Sequence, residues 1–447
     1  MKTVKIANGQ GFWGDSIEAP KKLIKSGEIN YLTLDYLAEV TMSIMQKQKL
    51  KDPKSGYAKD FVELIKKTKK DIIKNNVKII ANAGGVNPIE CSKEILKLFS
   101  NKEKIKIGII EGDDIFTNIS SLIKDGADFK NMDTGQKFDI IKDQVYSANV
   151  YIDSYTISKA LDMGADIVLA GRVTDPGLAL GPMIHEFGWK KNDYDLLASG
   201  TLAGHIIECG AQCTGGNYSD WENVPNLDDI GYPIINVEKN GKFSVTKMKN
   251  SGGLVNKQTI SEQILYEMGD PQNYISPDVK VDFTSFKITD NLNNSVSING
   301  VKGSKPTNTY KVSISYFAGY KASGQLTISG PNAIKKAKLT ADIIWKRLKN
   351  AGFEYENTST EFLGYNSCHK DIIDQKNEPN EVVLRLGVKD QSKEKVNRFG
   401  MEIAPVITSG PPGVTGFSGG RPKAQPIVAY WPTLISKKLV KTKVSII

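Results

Sequence analysis

In the first half of the chain, alternating apolar and polar positions repeatedly give way to helical spacing. "TVKIANGQGFWGD" (3–15) begins as a β-branched run and ends in glycines and an aspartate. The pattern returns in "VKIIANAGGVNPIECSKEILKLF" (77–99), "IKIGIIEGDDIF" (105–116), "NVYIDSYTISKALDMG" (149–164) and "ADIVLAGRVTDPGLALGP" (165–182). Each passage reads as a short strand, a glycine-rich or acidic loop, and a helix with a start signal. Asn87 and Pro88 look like an N-cap and first helical residue, with Glu90 completing a capping-box pattern; Asp175 and Pro176 look like a second such start. Strands alternating with helices predict an α/β domain with a doubly wound, mostly parallel sheet. Ligands of such sheets bind beyond the carboxyl ends of the strands. That rule makes Asp15, Asn82, Glu111, Asp113, Asp153, Arg172 and Asp175 expected neighbours, although they are far apart in sequence.

After about residue 230 the pattern changes. "YPIINVEKNGKFSVTKMKNSGG" (232–253) alternates like a hairpin around Asn240-Gly241. Further strand-like runs cover 281–290, 296–303, 309–330 and 381–390, with an amphipathic helix over 332–352. The expected organisation is an α/β domain over 1–230 and an α+β domain over 231–447, the latter ending in a glycine-rich loop and a C-terminal segment.

Composition narrows the class. With 447 residues, 40% hydrophobic and 24% charged, the chain has enough apolar material for packed cores of an ordinary globular protein. No apolar run is long enough to cross a membrane and no signal-peptide region opens the chain. Four cysteines in such a length form no disulfide framework, so a cytoplasmic setting is expected. The net charge of +9 is spread among acids on helix faces, as in "ELIKKTKKDIIKNN" (63–76), without interleaved aromatics. It therefore reads as solvated surface and predicts neither nucleic-acid nor membrane binding. Only five of the 59 basic residues are arginine, and Arg172 and Arg421 fall in glycine-rich stretches. In a lysine-rich chain they suggest planar, bidentate donors for a carboxylate or phosphate, or braces for their loops.

Six segments carry candidate chemistry. "GQGFWG" (9–14), with Gly9, Gly11, Gly14 and then Asp15, fits a dinucleotide fingerprint whose acidic partner would be Asp35. The bulk of Trp13 favours a glycine loop lining some other ligand. Gly84 and Gly85 form a similar loop beside Asn82. In "GIIEGDD" (108–114), Glu111 and Asp113 are candidate ligand contacts, while one of Asp113 and Asp114 caps the next helix. "AGRVTDPG" (170–177) places Arg172 at a helix start suited to an anion. The loop "TSGPPGVTGFSGGRPK" (408–423) offers Gly413 and Arg421. Finally, 196–209 suits a helix that sets His205, Glu208 and Cys209 on one face. This is an acid–base pair with a second-choice thiol nucleophile, against the plainer reading of a polar helix end. Zinc would need further ligands, and the other cysteines and histidines stand at no recognisable spacing, so no metal site is expected.

Taken together, "NGQGFWGD", "DYLAEVTM" (35–42), "NAGGVNP", "GADIVLAGRVTDP", "AGHIIECGAQ" with "TGG", "YEMGDP" (266–271) and "GPPGVTG…GRP" resemble the acyclic terpene utilisation protein family (AtuA-like) from residue 8 to 422. Cys213 is the departure, standing where that family carries a small or aliphatic residue. The resemblance implies catabolism of branched acyl-CoA or organic (di)carboxylic acids. The expected activity is proton chemistry of hydratase, lyase or isomerase type. In that scheme His205 and Glu208 move a proton, Asp175 assists, and Arg172 and Arg421 hold an anionic small molecule; a CoA ester is an eligible substrate. The competing readings are a non-catalytic acyl-CoA or carboxylate-binding subunit that needs a partner protein, and a dinucleotide-dependent oxidoreductase. Sequence alone names no cofactor and leaves metal dependence open. It also leaves a homo-oligomer and a small partner subunit equally open.

Overall fold

Every strand-to-helix passage read from the sequence has its counterpart in the computed structural model, which describes residues 2–37, 39–100, 102–372, 377–416 and 419–447. The first half runs β1 (Thr3–Gln10), α1 (Ala19–Ser26), β2 (Tyr31–Leu34), α2 (Glu39–Lys51), α3 (Lys59–Asn75), β3 (Lys78–Ala81), α4 (Pro88–Leu96), β4 (Ile107–Glu111) and α5 (Ile119–Lys124). It continues through β5 (Val145–Val150), α6 (Tyr155–Asp162), β6 (Ile167–Leu169), α7 (Gly177–Phe187) and α8 (Tyr194–Glu208). Strands β1, β2, β3, β6 and β4 lie side by side in that order, all parallel.

Both faces of these strands are covered, which explains why they are apolar almost throughout. Ala7, Leu32, Leu34, Ile79, Ala81 and Leu169 point into a core built with Leu23, Ile24, Phe61, Ile65 and Ile95 of α1, α3 and α4. On the other face α6, α7 and α8 pack in series, and Tyr31 reaches Glu186 of α7 at 2.6 Å. The fold is therefore the doubly wound α/β arrangement expected.

Two expectations about organisation need correction. The hairpin forms as predicted, as β7 (Pro233–Glu238) and β8 (Phe243–Lys247), with Gly241 at φ 83° in its turn. However, β7 pairs antiparallel with β1, from Thr3↔Glu238 to Ala7↔Ile234, and so extends the first sheet. The chain accordingly divides into a unit of residues 1–315 with 430–447 and a second unit of 316–429, with no division at 230/231. The C-terminal strand Lys443–Ile446 closes the other edge of the sheet against β4. Secondly, β5 is not in this sheet. It pairs with the long strand Thr309–Ser329, and Tyr151 N–H donates to Lys311 O at 3.0 Å.

In the second unit, the strands Asn357–Leu363 and Glu381–Asp390 and residues 316–329 form an antiparallel sheet. Val382, Leu384, Leu386 and Val388 pack beneath it on the helices Ala333–Asn350 and Lys393–Ile403. Phe417 and Ser418 of the predicted glycine loop lie outside the described residues. Among the described residues, no helix is long and apolar enough to cross a membrane.

Candidate functional site

The carboxyl ends of the parallel strands converge, and each contributes a polar residue. Asp35 follows β2 and Asn82 follows β3. Their side chains meet with Asn82 Nδ2 donating to Asp35 Oδ1 at 2.7 Å, while Asn82 Oδ1 accepts from Tyr36 N at 2.6 Å. Arg172 follows β6. Its main-chain N–H donates to Asp113 Oδ2 at 2.7 Å, and Asn149 Nδ2 donates to the same oxygen at 3.1 Å. The Arg172 guanidinium is buried. It donates to Leu37 O, pairs with Asp175 Oδ1 at 2.7 Å and lies 4.1 Å over the Tyr151 ring. Burial pushes the Asp113 carboxyl up to about 7. Burial and then the Asp175 charge push Asp35 up to about 7 as well, against the opposing pull of Arg172 and Asn82.

Helix α8 brings the acid–base pair to the same end of the sheet. The last carbonyls of a helix lack partners within it. Here Asn8 of β1 donates to Ile207 O at 2.5 Å and Glu208 O at 2.8 Å, and Gln263 donates to His205 O at 3.2 Å. His205 is 1% exposed and is enclosed by Tyr274 and Phe283, with ring centroids 5.5 and 5.4 Å away. Its Nε2 lies 3.3 Å from Ile264 O, which can only accept, so Nε2 carries a proton. Nδ1 faces Glu208 Oε1 at 3.1 Å. Desolvation alone would lower the His205 pKa, but the bond and charge of Glu208 outweigh it and raise the imidazole. Burial raises Glu208 to about 7, with Asp175 and Asp35 adding repulsion. A hydrogen bond between Nδ1 and Oε1 needs one proton, carried by either atom. Glu208 Oε2 is buried without a hydrogen-bond partner among the described residues.

The structure unites some predicted residues and separates others. Asn82, Asp113, Arg172, Asp175, His205 and Glu208 belong to this strand-end region, as expected. Arg172 is no open anion cradle, because its guanidinium is held by Leu37 O and Asp175. Asp175 does not cap α7, which starts at Gly177 after Pro176. Asn87 does occupy the N-cap position of α4, but its side chain donates to Pro53 O and Ser55 O, and Glu90 pairs with Lys93.

Cys209 lies one residue beyond α8, and burial with the Glu208 charge pushes its thiol up to about 12. Both His205 nitrogens are engaged elsewhere, so Cys209 is not an activated nucleophile. Asp15 closes its own loop, accepting from Gly11 N at 2.9 Å, Ser16 N at 2.6 Å and Tyr232 OH at 2.5 Å. A Cβ on Gly11 would stand 2.7 Å from the Cys209 carbonyl carbon, so this glycine exists for close packing on α8. The loop therefore offers no Gly11 N–H to a pyrophosphate, and the dinucleotide fingerprint fails there. Gly9 packs on Pro20 and Leu32, and Gly14 turns the chain at φ 102°. Gly84 abuts Ala170 O, and Gly85 is closed in by Met45 and Gly56.

Glu111 ends β4 beside the edge strand, 3.8 Å from its register partner Lys443, and Asp114 accepts from Phe116 N as a local cap. Asp153 forms a separate cluster, accepting from Tyr310 OH at 2.6 Å near Asp278, because β5 left the parallel sheet. Gly413 and Arg421 belong to the second unit, where Gly413 O accepts from Ser329 N at 2.9 Å. Among the described residues, no three His, Cys, Asp or Glu side chains stand close enough to hold a metal ion.

Sequence reasoning missed Asn8, Gln263, Tyr274 and Phe283. Asn8 carried a signal, being a polar residue inside an apolar strand; the others come from segments with no motif.

Fold and site together define an α/β protein whose parallel strand ends bury carboxylates around one arginine and one histidine. Over residues 4–446 the chain matches the family described as acyclic terpene utilisation family protein AtuA, and it belongs to that family. Membership ties it to acyclic terpene utilisation. No curated protein and no solved structure matches it.

Proposed function

We propose that the His205–Glu208 pair is the acid–base centre of a hydratase, lyase or isomerase acting on a branched, unsaturated acyl group, as a CoA ester or a free organic acid. The carrying observation is the unequal setting of the Glu208 oxygens: Oε1 shares a proton with His205 Nδ1, while Oε2 is buried and unpaired. Such an oxygen can take a proton from a substrate carbon or oxygen while the proton between Oε1 and Nδ1 moves onto the imidazole, and can return it in the reverse step; a carboxyl near 7 suits an acid–base group at neutral pH. Asp175, whose side chain is 38% exposed, marks the side open to solvent. The surroundings are acidic overall, which favours contact with the uncharged acyl portion over an anionic group.

The test is solvent-deuterium incorporation into branched enoyl- and acyl-CoA esters and the corresponding acids, read by mass spectrometry. The wild-type chain incorporates label, and Glu208→Gln slows incorporation by about 10²- to 10⁴-fold. Equal incorporation by both proteins refutes the assignment. The enclosure of His205 by Tyr274 and Phe283 favours the second reading, a binding subunit in which the pair only stiffens α8. On that reading Glu208→Gln changes stability while ligand affinity stays the same.

A further inference from the structure

The glycine-rich loop with Arg421 belongs to the second unit and borders a surface of that unit. In the second unit, a groove of about 810 Å³ runs across the outer face of the antiparallel sheet. Alternation along the strands determines its lining. Val382, Leu384, Leu386 and Val388 point into the core, so Arg385, Gly387 and Lys389 face outward. The strand register then makes three rows. Lys321 and Asn357 flank Lys389; Ser323 and Ser359 flank Gly387; Gln325 and Glu361 flank Arg385. The middle row is a floor of small residues, and a Cβ on Gly387 would stand 2.6 Å from Ser359 Oγ. On one side of this floor stand Lys321 and Lys389, on the other the ion pair Arg385–Glu361, and Arg421 and Lys423 line the groove from the loop.

The charge arrangement is unfavourable by itself. Lys321 and Lys389 are direct cross-strand partners, a like-charge pairing that costs stability. Glu361, the one acid among the described lining residues, is 2.5 Å from Arg385 Nε. Lys321, Lys389, Arg421 and Lys423 make no ion pair among the described residues. A concave site of this volume is the size of a small-molecule pocket. Its donors are guanidinium, ammonium and hydroxyl groups, which match phosphate oxygens. Among the described residues no aromatic side chain lines it, and a base would have none of them to stack on, which disfavours single-stranded nucleic acid.

We propose that this groove binds a small molecule carrying linked phosphate groups, with Lys321, Lys389, Arg421 and Lys423 neutralising it over the Ser323–Gly387–Ser359 floor. The site stands independently of the acid–base reading. The test uses the full chain at low salt with inorganic tripolyphosphate as the probe, followed by calorimetry and thermal unfolding. Binding is expected to strengthen from phosphate to pyrophosphate to tripolyphosphate, to weaken with added salt, and to raise Tm. The double variant Arg421→Ala/Lys423→Ala, altered only in an exposed loop, is expected to bind at least about tenfold more weakly, through loss of two charge-assisted contacts. Lys389→Gln is expected to weaken binding while raising the Tm of the free protein. Lys346→Ala, on the helix beneath the sheet, should change neither. ATP and coenzyme A should compete with the probe, and their relative strength tells which phosphate ester the groove prefers. Absence of binding at millimolar tripolyphosphate, equal affinity in the double variant, or tighter binding of a single-stranded RNA oligonucleotide would each overturn the proposal.

Discussion

Glu208 and Cys209 are neighbours in sequence but differ in what a buried environment does to them. A carboxyl moved to about 7 remains half ionised at neutral pH and can both give and take a proton. A thiol moved up to about 12 is almost wholly protonated there and a poor nucleophile. Cys209→Ala should therefore keep solvent-exchange activity within about threefold, because proton transfer does not involve the sulfur. A loss as deep as that of Glu208→Gln would instead return the thiol to the mechanism. Asp35 teaches the same lesson. As a residue it resembles a ribose-binding acid, but bonds from Asn82 and Leu37 N–H turn it into a buried member of the carboxylate group.

The end of α8 is the element on which the site depends. Its final carbonyls have no helical partners, and two of them rest on the single amide of Asn8. Asn8→Ala strips the side-chain donor from both, leaving Ile207 O only the Cys209 N–H and orphaning Glu208 O. A loss of about 1–3 kcal/mol in urea denaturation is expected, the cost of roughly one orphaned acceptor. A change below about 0.5 kcal/mol would show that other contacts hold the helix end. The same packing explains the glycine loop at 9–14. Gly11 is small because the main chain of Cys209 presses against it, and its N–H is taken by Asp15. The loop seats the helix.

Over the whole molecule, buried carboxylates couple folding to pH. Asp35, Asp113, Glu208 and Asp278 are all raised to about 7 by burial, above an unfolded value near 4. The folded chain therefore holds more protons than the unfolded chain between those limits. Its stability is greatest at the acid end of that window and falls as pH rises towards about 7, levelling off above it. Within the window each such carboxyl removes about 1.4 kcal/mol per pH step of one. Tm should drop by several degrees between pH 5.5 and 8.5 in scanning calorimetry. Asp113→Asn can still accept from Arg172 N–H and Asn149 without titrating, so it should flatten the drop. A Tm that rises over this range would show that these carboxyls are ionised in the folded chain.

Local signals were enough for much of this protein. Strand-then-helix periodicity predicted the doubly wound sheet, and the rule that ligands lie beyond strand ends named Asn82, Asp113, Arg172 and Asp175 as neighbours. The 3.6-residue helical repeat placed His205 against Glu208, and motif order across the chain pointed to the family. These features are encoded within a few residues or by one repeating geometry. Other features depended on partners distant in sequence. The pairing of β7 with β1 moved the domain boundary, and the departure of β5 took Asp153 away from the site. Ion pairing turned Arg172 from an expected receptor into a partner of Asp175, and packing on Cys209 explained Gly11. Strand register alone aligned Lys321 with Lys389 and made a cationic trough from scattered lysines. A side chain's charge and reach are written at its own position, but what neutralises, buries or opposes it is decided by whichever strand folds beside it.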